Sequence, residues 1–182
     1  MNSRVFSLFQ RRAFGSLYNY SSPSNPRVFM TIARGEQKLG DLVFELYEDR
    51  QPATTDSFRT LLSGADGRSY LGTGFHHGLS DFGITGGRIG DENLGADGTR
   101  MSDEDLTMRH IKRGQLSAVS SGKNAAGSEF TITFGAAPTL NGYNNVFGEL
   151  VEGESVLAEL EAGVNRLGEV TEDFTIVDAG EK

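Results

Sequence analysis

Apolar and polar residues alternate with a period of two along several short runs of the chain. Val28-Phe29-Met30-Thr31-Ile32-Ala33 and Leu42-Val43-Phe44-Glu45-Leu46-Tyr47 are rich in β-branched and aromatic residues, and Gly35-Glu36-Gln37-Lys38 between them suits a hairpin loop. Glu129 to Phe134, Asn145 to Leu150 and Phe174 to Asp178 are further strand candidates. Two stretches carry helical spacing instead. Pro52 to Leu62 places Phe58, Leu61 and Leu62 on one face, with Pro52 in the first turn and Gly64 to close it. Ser155 to Ala162 turns Val156, Leu157 and Leu160 inward and ends at Gly163. Residues 64–115 read as glycine-rich and irregular around short strand candidates. The pattern predicts a mainly β fold, an antiparallel barrel with helices near 52–63 and 154–162 at its ends. Phe44, Leu46, Phe58, Leu61, Phe130, Ile132, Phe147, Leu157 and Ile176 are its expected core.

Composition narrows the chemistry. A chain of 182 residues encloses one sizeable core but not two. Its 24 glycines agree with many tight turns. The absence of cysteine excludes disulfides, thiolate metal sites and a cysteine nucleophile. No run approaches the roughly 18 apolar residues of a membrane-spanning helix. The net charge of −8 is unevenly spread. Residues 1–35 hold five arginines and no acid; from Glu36 on, 12 basic residues face 25 acids. An acidic body without a basic stripe argues against a nucleic-acid partner. Asp91, Glu92, Asp97, Asp103, Glu104 and Asp105 read as a solvated acidic loop.

The first residues read as an address. On a helical wheel Val5, Phe6, Leu8, Phe9 and Ala13 share one face, while Ser3, Arg4, Ser7, Gln10 and Arg11 share the other. A basic, acid-free amphipathic helix has the composition of a mitochondrial transit peptide. Arg12-Ala13-Phe14 before Gly15-Ser16 resembles a processing site. Residues 1–24 are therefore expected to be a targeting segment and linker, and residues 25–182 the folded domain, with a mitochondrial location.

Several motifs fail. Ala118-Val119-Ser120-Ser121-Gly122 looks like a nucleophile elbow but is followed by a loop and a strand, where the elbow needs a helix. Gly83 to Gly90 lacks the Gly-Lys-Ser/Thr ending of a phosphate loop. Asp91 to Ser102 has its glycines out of place for the sharp turn of a calcium hand, and its twelfth residue, Ser102, is not the required glutamate. His76 and His77 are adjacent, and on a regular strand they would face opposite ways, which suits no shared metal. No metal or cofactor is expected.

From about Asn25 to Gly180 the chain resembles a cyclophilin. The marks come in order: Asn25-Pro26-Arg27-Val28-Phe29, Leu39-Gly40, Phe44-Glu45-Leu46, Pro52 and Phe58-Arg59. Gly74-Phe75-His76, Phe82, Gly86-Gly87, Asp103-Glu104-Asp105, Gly114 and Leu116-Ser117 follow. Gly122, Asn124, Gly127-Ser128, Phe130, Leu140-Asn141-Gly142, Val146-Phe147-Gly148 and Thr175 to Gly180 complete the series. The resemblance implies a closed eight-stranded antiparallel β-barrel with a helix at each open end, and peptidyl-prolyl isomerase chemistry on proline-containing peptides.

It also implies where the site lies. The place of the family's catalytic arginine, after the Phe-His pair, holds His77. The first pocket phenylalanine is Phe82; the neighbouring methionine position is Gly83, and the glutamine two residues on is Thr85. The Ala-Asn pair that binds peptide backbone is Val119-Ser120. A groove glutamine becomes Glu129, the second pocket phenylalanine becomes Thr131, and a tryptophan position is Thr139. Leu140 is kept, and the groove histidine becomes Asn144.

An X–Pro bond isomerises over a barrier of about 20 kcal/mol because twisting breaks amide resonance. A fixed guanidinium that bonds the freed nitrogen lone pair stabilises the twisted state above the planar one. An imidazole offers one donor but no forked, permanently charged contact. Thr131 and Gly83 also remove apolar wall from the slot for the proline ring, about 1.5–3 kcal/mol of ring binding. The expectation is a mitochondrial cyclophilin-fold protein with an eroded site, acting as a binding or structural subunit of a larger assembly. The alternative is an active isomerase that assists folding. In protein isolated from mitochondria, N-terminal sequencing is expected to begin at or after Gly15; a retained Met1 would exclude processing.

Overall fold

A computed structural model describes residues 18–182. The expected targeting helix and processing site lie outside the described residues. Eight strands form one sheet: β1 (Arg27–Arg34), β2 (Gln37–Leu46), β3 (Phe75–Leu79), β4 (Gly83–Gly86), β5 (Gln115–Ser120), β6 (Ala126–Thr133), β7 (Val146–Glu152) and β8 (Phe174–Glu181). Their spatial order is β3-β4-β6-β5-β7-β2-β1-β8, and every neighbouring pair is antiparallel. Among the described residues two α-helices accompany it, α1 (Pro52–Ser63) and α2 (Glu154–Ala162).

Period-two alternation builds the core. Val28, Met30 and Ile32 of β1 and Leu42, Phe44 and Leu46 of β2 enter the same interior as Ile84, Leu116, Phe130, Ile132 and Phe147. All nine residues expected inside are at most 3% exposed. Phe58 of α1 is the plug. Its ring lies 5.3 Å from Phe130, 5.0 Å from Phe147 and 5.2 Å from Tyr70, in tilted and edge-on geometries. Tyr70 anchors the cluster by donating its hydroxyl to the Ser128 carbonyl at 2.6 Å. The helix ends where expected, at Gly64 in a left-handed conformation, φ +69°.

The closed barrel is met in part. Eight antiparallel strands and two helices are present, but the ladder is open between β3 and β8. One bridge, Gly74 to Thr175, spans that seam. The Gly72 amide donates to Ile176 at 2.8 Å and the Ile176 amide to Thr73 at 3.0 Å. Residues 70–74 turn too tightly to continue as a strand. The stretch 64–115 is irregular around short strands, as the pattern indicated, the strands being β3 and β4.

The acidic loop is not simply solvated. Glu104 accepts the amides of Ala53 and Thr54, both at 2.9 Å, and the Thr54 hydroxyl at 2.6 Å. The Gln51 side chain makes no cap, so Glu104 caps α1 from another part of the chain. Asp105 pairs with Arg50, and the hydroxyl of Thr107, with help from Arg50, holds its carboxyl below the usual range.

Phe58→Ala is expected to lower stability by about 3–5 kcal/mol in chemical denaturation. Leu167→Ala, at a site 84% exposed, is expected to change it by no more than about 0.5 kcal/mol.

Candidate functional site

The candidate site lies on the outer face of β3, β4, β6 and β5, where one row of residues is in register. His77 stands opposite Thr85, Thr85 opposite Thr131, and Thr131 opposite Ser117. The Thr85 and Thr131 hydroxyls bond each other at 2.8 Å. Phe130 and Ile132 point into the core, so Thr131 between them points out.

The two histidines do not divide between faces as a regular strand would require. The register shifts between Phe75 and His77, so His76 is the extra residue of a β-bulge. His76 reaches Glu129, with Nε2 2.9 Å from Oε1, while His77 faces Thr85 and packs its ring against Gly168. Both imidazoles are exposed. Glu129 is 8% exposed, and a buried carboxylate needs partners. Besides His76 it has Asn93, whose Nδ2 donates at 2.7 Å, and Arg88 at 3.6 Å. Asn93 also accepts the Glu129 amide at 2.9 Å and the Ser128 hydroxyl at 3.1 Å. A side chain on Gly127 would overlap the Asn93 backbone. The loop carrying Asn93 is thus pinned over the start of β6.

The other expected residues lie at the ends of these strands. Phe82, in the turn from β3 to β4, and Leu140, ending the short 3-10 turn Pro138–Leu140, are both half-buried. Val119 and Ser120 end β5; the Ser120 hydroxyl is taken by the Gly122 carbonyl. Asn144 is tied back, its Nδ2 donating to Ala118 at 2.7 Å. Thr139 is exposed. A Cβ on Gly83 would lie 2.8 Å from the Ile132 carbonyl and 3.0 Å from Thr131 Cγ2, so no side chain fits the position of the family's methionine.

Sequence reasoning missed a second polar cluster behind the row. His110 Nε2 lies 2.8 Å from Ser117 Oγ, and Nδ1 lies 3.0 Å from Asn141 Oδ1. Asn141 Oδ1 also accepts the His110 amide at 2.8 Å. Oδ1 being an acceptor, Nδ1 carries the proton, and Nε2 of the neutral ring accepts from Ser117. Burial holds the His110 pKa below its usual value, against an opposing bond from Asn141. The spacing is that of a Ser-His-Asn triad, yet Ser117 and His110 are each 1% exposed. No substrate reaches them, and the cluster serves as a lock between β5 and the 110–141 region. No motif spacing announces it, because its members come from three separate segments.

Among the described residues, no group of three or more His, Asp or Glu is placed to hold a metal, and no helix is long and apolar enough to cross a membrane. Eight antiparallel strands, with two helices among the described residues, define the class as a mainly β, barrel-like fold. The family model described as cyclophilin type peptidyl-prolyl cis-trans isomerase/CLD matches residues 29–181, and the chain belongs to that family.

His110 makes stability depend on pH with a defined sign. The unfolded imidazole takes up a proton near pH 6.5, the folded one only below that. Its contribution is therefore complete above the unfolded pKa and lost as pH falls through it. Between about pH 7.5 and 5.5 the wild-type denaturation midpoint is expected to fall more steeply than that of His110→Gln.

Proposed function

We propose that this cyclophilin domain binds a protein partner in its groove without proficient isomerisation, as a mitochondrial subunit of a larger assembly. The observation that carries this reading is the Thr85–Thr131 hydroxyl bond, which lies where a proline ring would need an apolar wall. His77, in the arginine's place, packs on Gly168 and offers no forked charged donor. Groove polarity and family membership together favour a protein or peptide ligand over a small molecule.

Isomerisation of a short X–Pro peptide is expected to run close to the uncatalysed rate. His77→Arg alone should recover little, whereas His77→Arg with Thr131→Phe should recover more than the sum of the single changes. Gly83 stays unchanged in this test, since no side chain fits there. A wild-type rate typical of a proficient isomerase would overturn the reading in favour of the folding catalyst. Separately, the protein from mitochondria at near-native salt should migrate with a large complex; migration as the free chain would exclude the subunit role.

A further inference from the structure

The run Ser120-Ser121-Gly122, which fails as a nucleophile elbow, has another use. β5 stops at Ser120 and β6 starts at Ala126, so residues 121–125 form a turn between them. Asn124 takes a left-handed conformation there, φ +54°. The preceding loop is latched to the turn twice. The Asp103 amide donates to Asn124 Oδ1 at 2.9 Å, and the Asn124 amide to Asp103 Oδ2 at 3.1 Å. Glu104 and Asp105 are engaged with α1 and Arg50. Leu106, after them, is half-buried and belongs to neither apolar cluster of the described residues. Facing these segments, the chain turns at Gly142, φ +82°, and leaves Tyr143 75% exposed. Together they bound an open cleft of about 590 Å³, with Leu106, Ser120, Lys123 and Tyr143 on its walls. That is the size of a ligand site.

The cleft continues the groove at both walls. Ser120 is the groove residue that ends β5, and Tyr143 lies between the groove residues Leu140 and Asn144. The local hydroxyls are already taken. Ser120 donates to the Gly122 carbonyl, and Ser121 Oγ lies 3.5 Å from the Arg100 guanidinium. What remains is apolar surface beside positive charge. The other partners of Arg100 are the carbonyls of Ala125 and Glu92, both at 3.3 Å and both uncharged. Among the described residues neither Arg100 nor Lys123 pairs with a carboxylate. Asp103, the acid of the cleft, is held by the Asn124 amide. On a chain of net charge −8, this corner has two cations to one acid. We infer that the cleft is a subsite for the polypeptide in the groove, and that it takes an aromatic side chain followed by a carboxylate. An aromatic ring covers Leu106 and Tyr143 with few rotors to order, and the carboxylate meets Lys123. The inference rests on the groove reading for its occupant and adds a sequence requirement to it.

Two ligands separate the subsite from the groove: an acetylated Phe-Glu dipeptide amide and an acetylated Ala-Pro-Ala tripeptide amide, each titrated into the full-length protein and followed by NMR. The Phe-Glu dipeptide is expected to shift the Leu106 methyls saturably. It should bind at least about tenfold tighter than the matching Ala-Glu dipeptide and about fivefold tighter than Phe-Lys. Tyr143→Ala is expected to weaken the Phe-Glu dipeptide at least about tenfold, and Lys123→Glu to reverse the preference between Phe-Glu and Phe-Lys. Both positions are exposed, so the fold should persist, with the Leu167 methyls in place as the check. Unmoved Leu106 methyls, or equal binding of the three dipeptides, would overturn the inference. If the tripeptide moves Phe82 while the Phe-Glu dipeptide leaves Leu106 still, the subsite fails and the groove reading stands. The converse result sustains the subsite and counts against the groove.

Discussion

Phe130 is held inside by edge-on contacts with Phe58, Tyr70 and Phe75, at 5.3, 5.3 and 6.2 Å. Side chains on a strand alternate, so an inward Phe130 forces Glu129 and Thr131 outward. Register carries that choice across the sheet to Thr85 and His77 on one side and Ser117 on the other. Slipping β6 by one residue would turn Phe130 and Ile132 out of the core and drive the Glu129 carboxylate into it, away from its partners, at a cost no surface contact offsets. The aromatic plug therefore decides which side chains the groove can present.

What it presents is polar. Where the family keeps an apolar ring slot, two hydroxyls satisfy each other, and a buried carboxylate collects Asn93, His76 and Arg88. Each group has a partner within the chain, so the region is stable without a ligand. The residues that build the barrel and those that form the polar row are separable, because they occupy opposite faces of the same strands.

Long periodic elements were legible from sequence. α1, α2, β1, β2, β6, β7 and β8 carry alternation or helical spacing long enough to reveal themselves. β3 and β4 were legible only as short strand candidates without bounds, because Phe-His-His-Gly-Leu and Gly-Ile-Thr-Gly hold few strand formers. Their glycines are there because neighbouring backbone leaves no room for a Cβ at Gly83 or Gly86. The positions of His77, Thr85 and Thr131 followed from the resemblance, and their common row needed the register. The facing of His76 was misread because a bulge has no signature in two adjacent histidines. Asn93 and the His110–Ser117–Asn141 lock depend on contacts between distant segments, and Glu104 reads as an ordinary surface acid until its helix partner is placed.

The seam between β3 and β8 leaves two ladder edges without a strand partner. Ladder edges are templates on which a second chain can add a strand. Here β3 is five residues long and bulged at His76, while β8 breaks register near Val177 and carries Asp178 and Glu181. A short, kinked edge facing a charged, irregular one offers an incoming strand little continuous pairing. The bond pair between Gly72–Thr73 and Ile176 occupies part of what remains. Both edges thus carry features that disfavour edge-to-edge pairing, and straightening the His76 bulge would remove one of them.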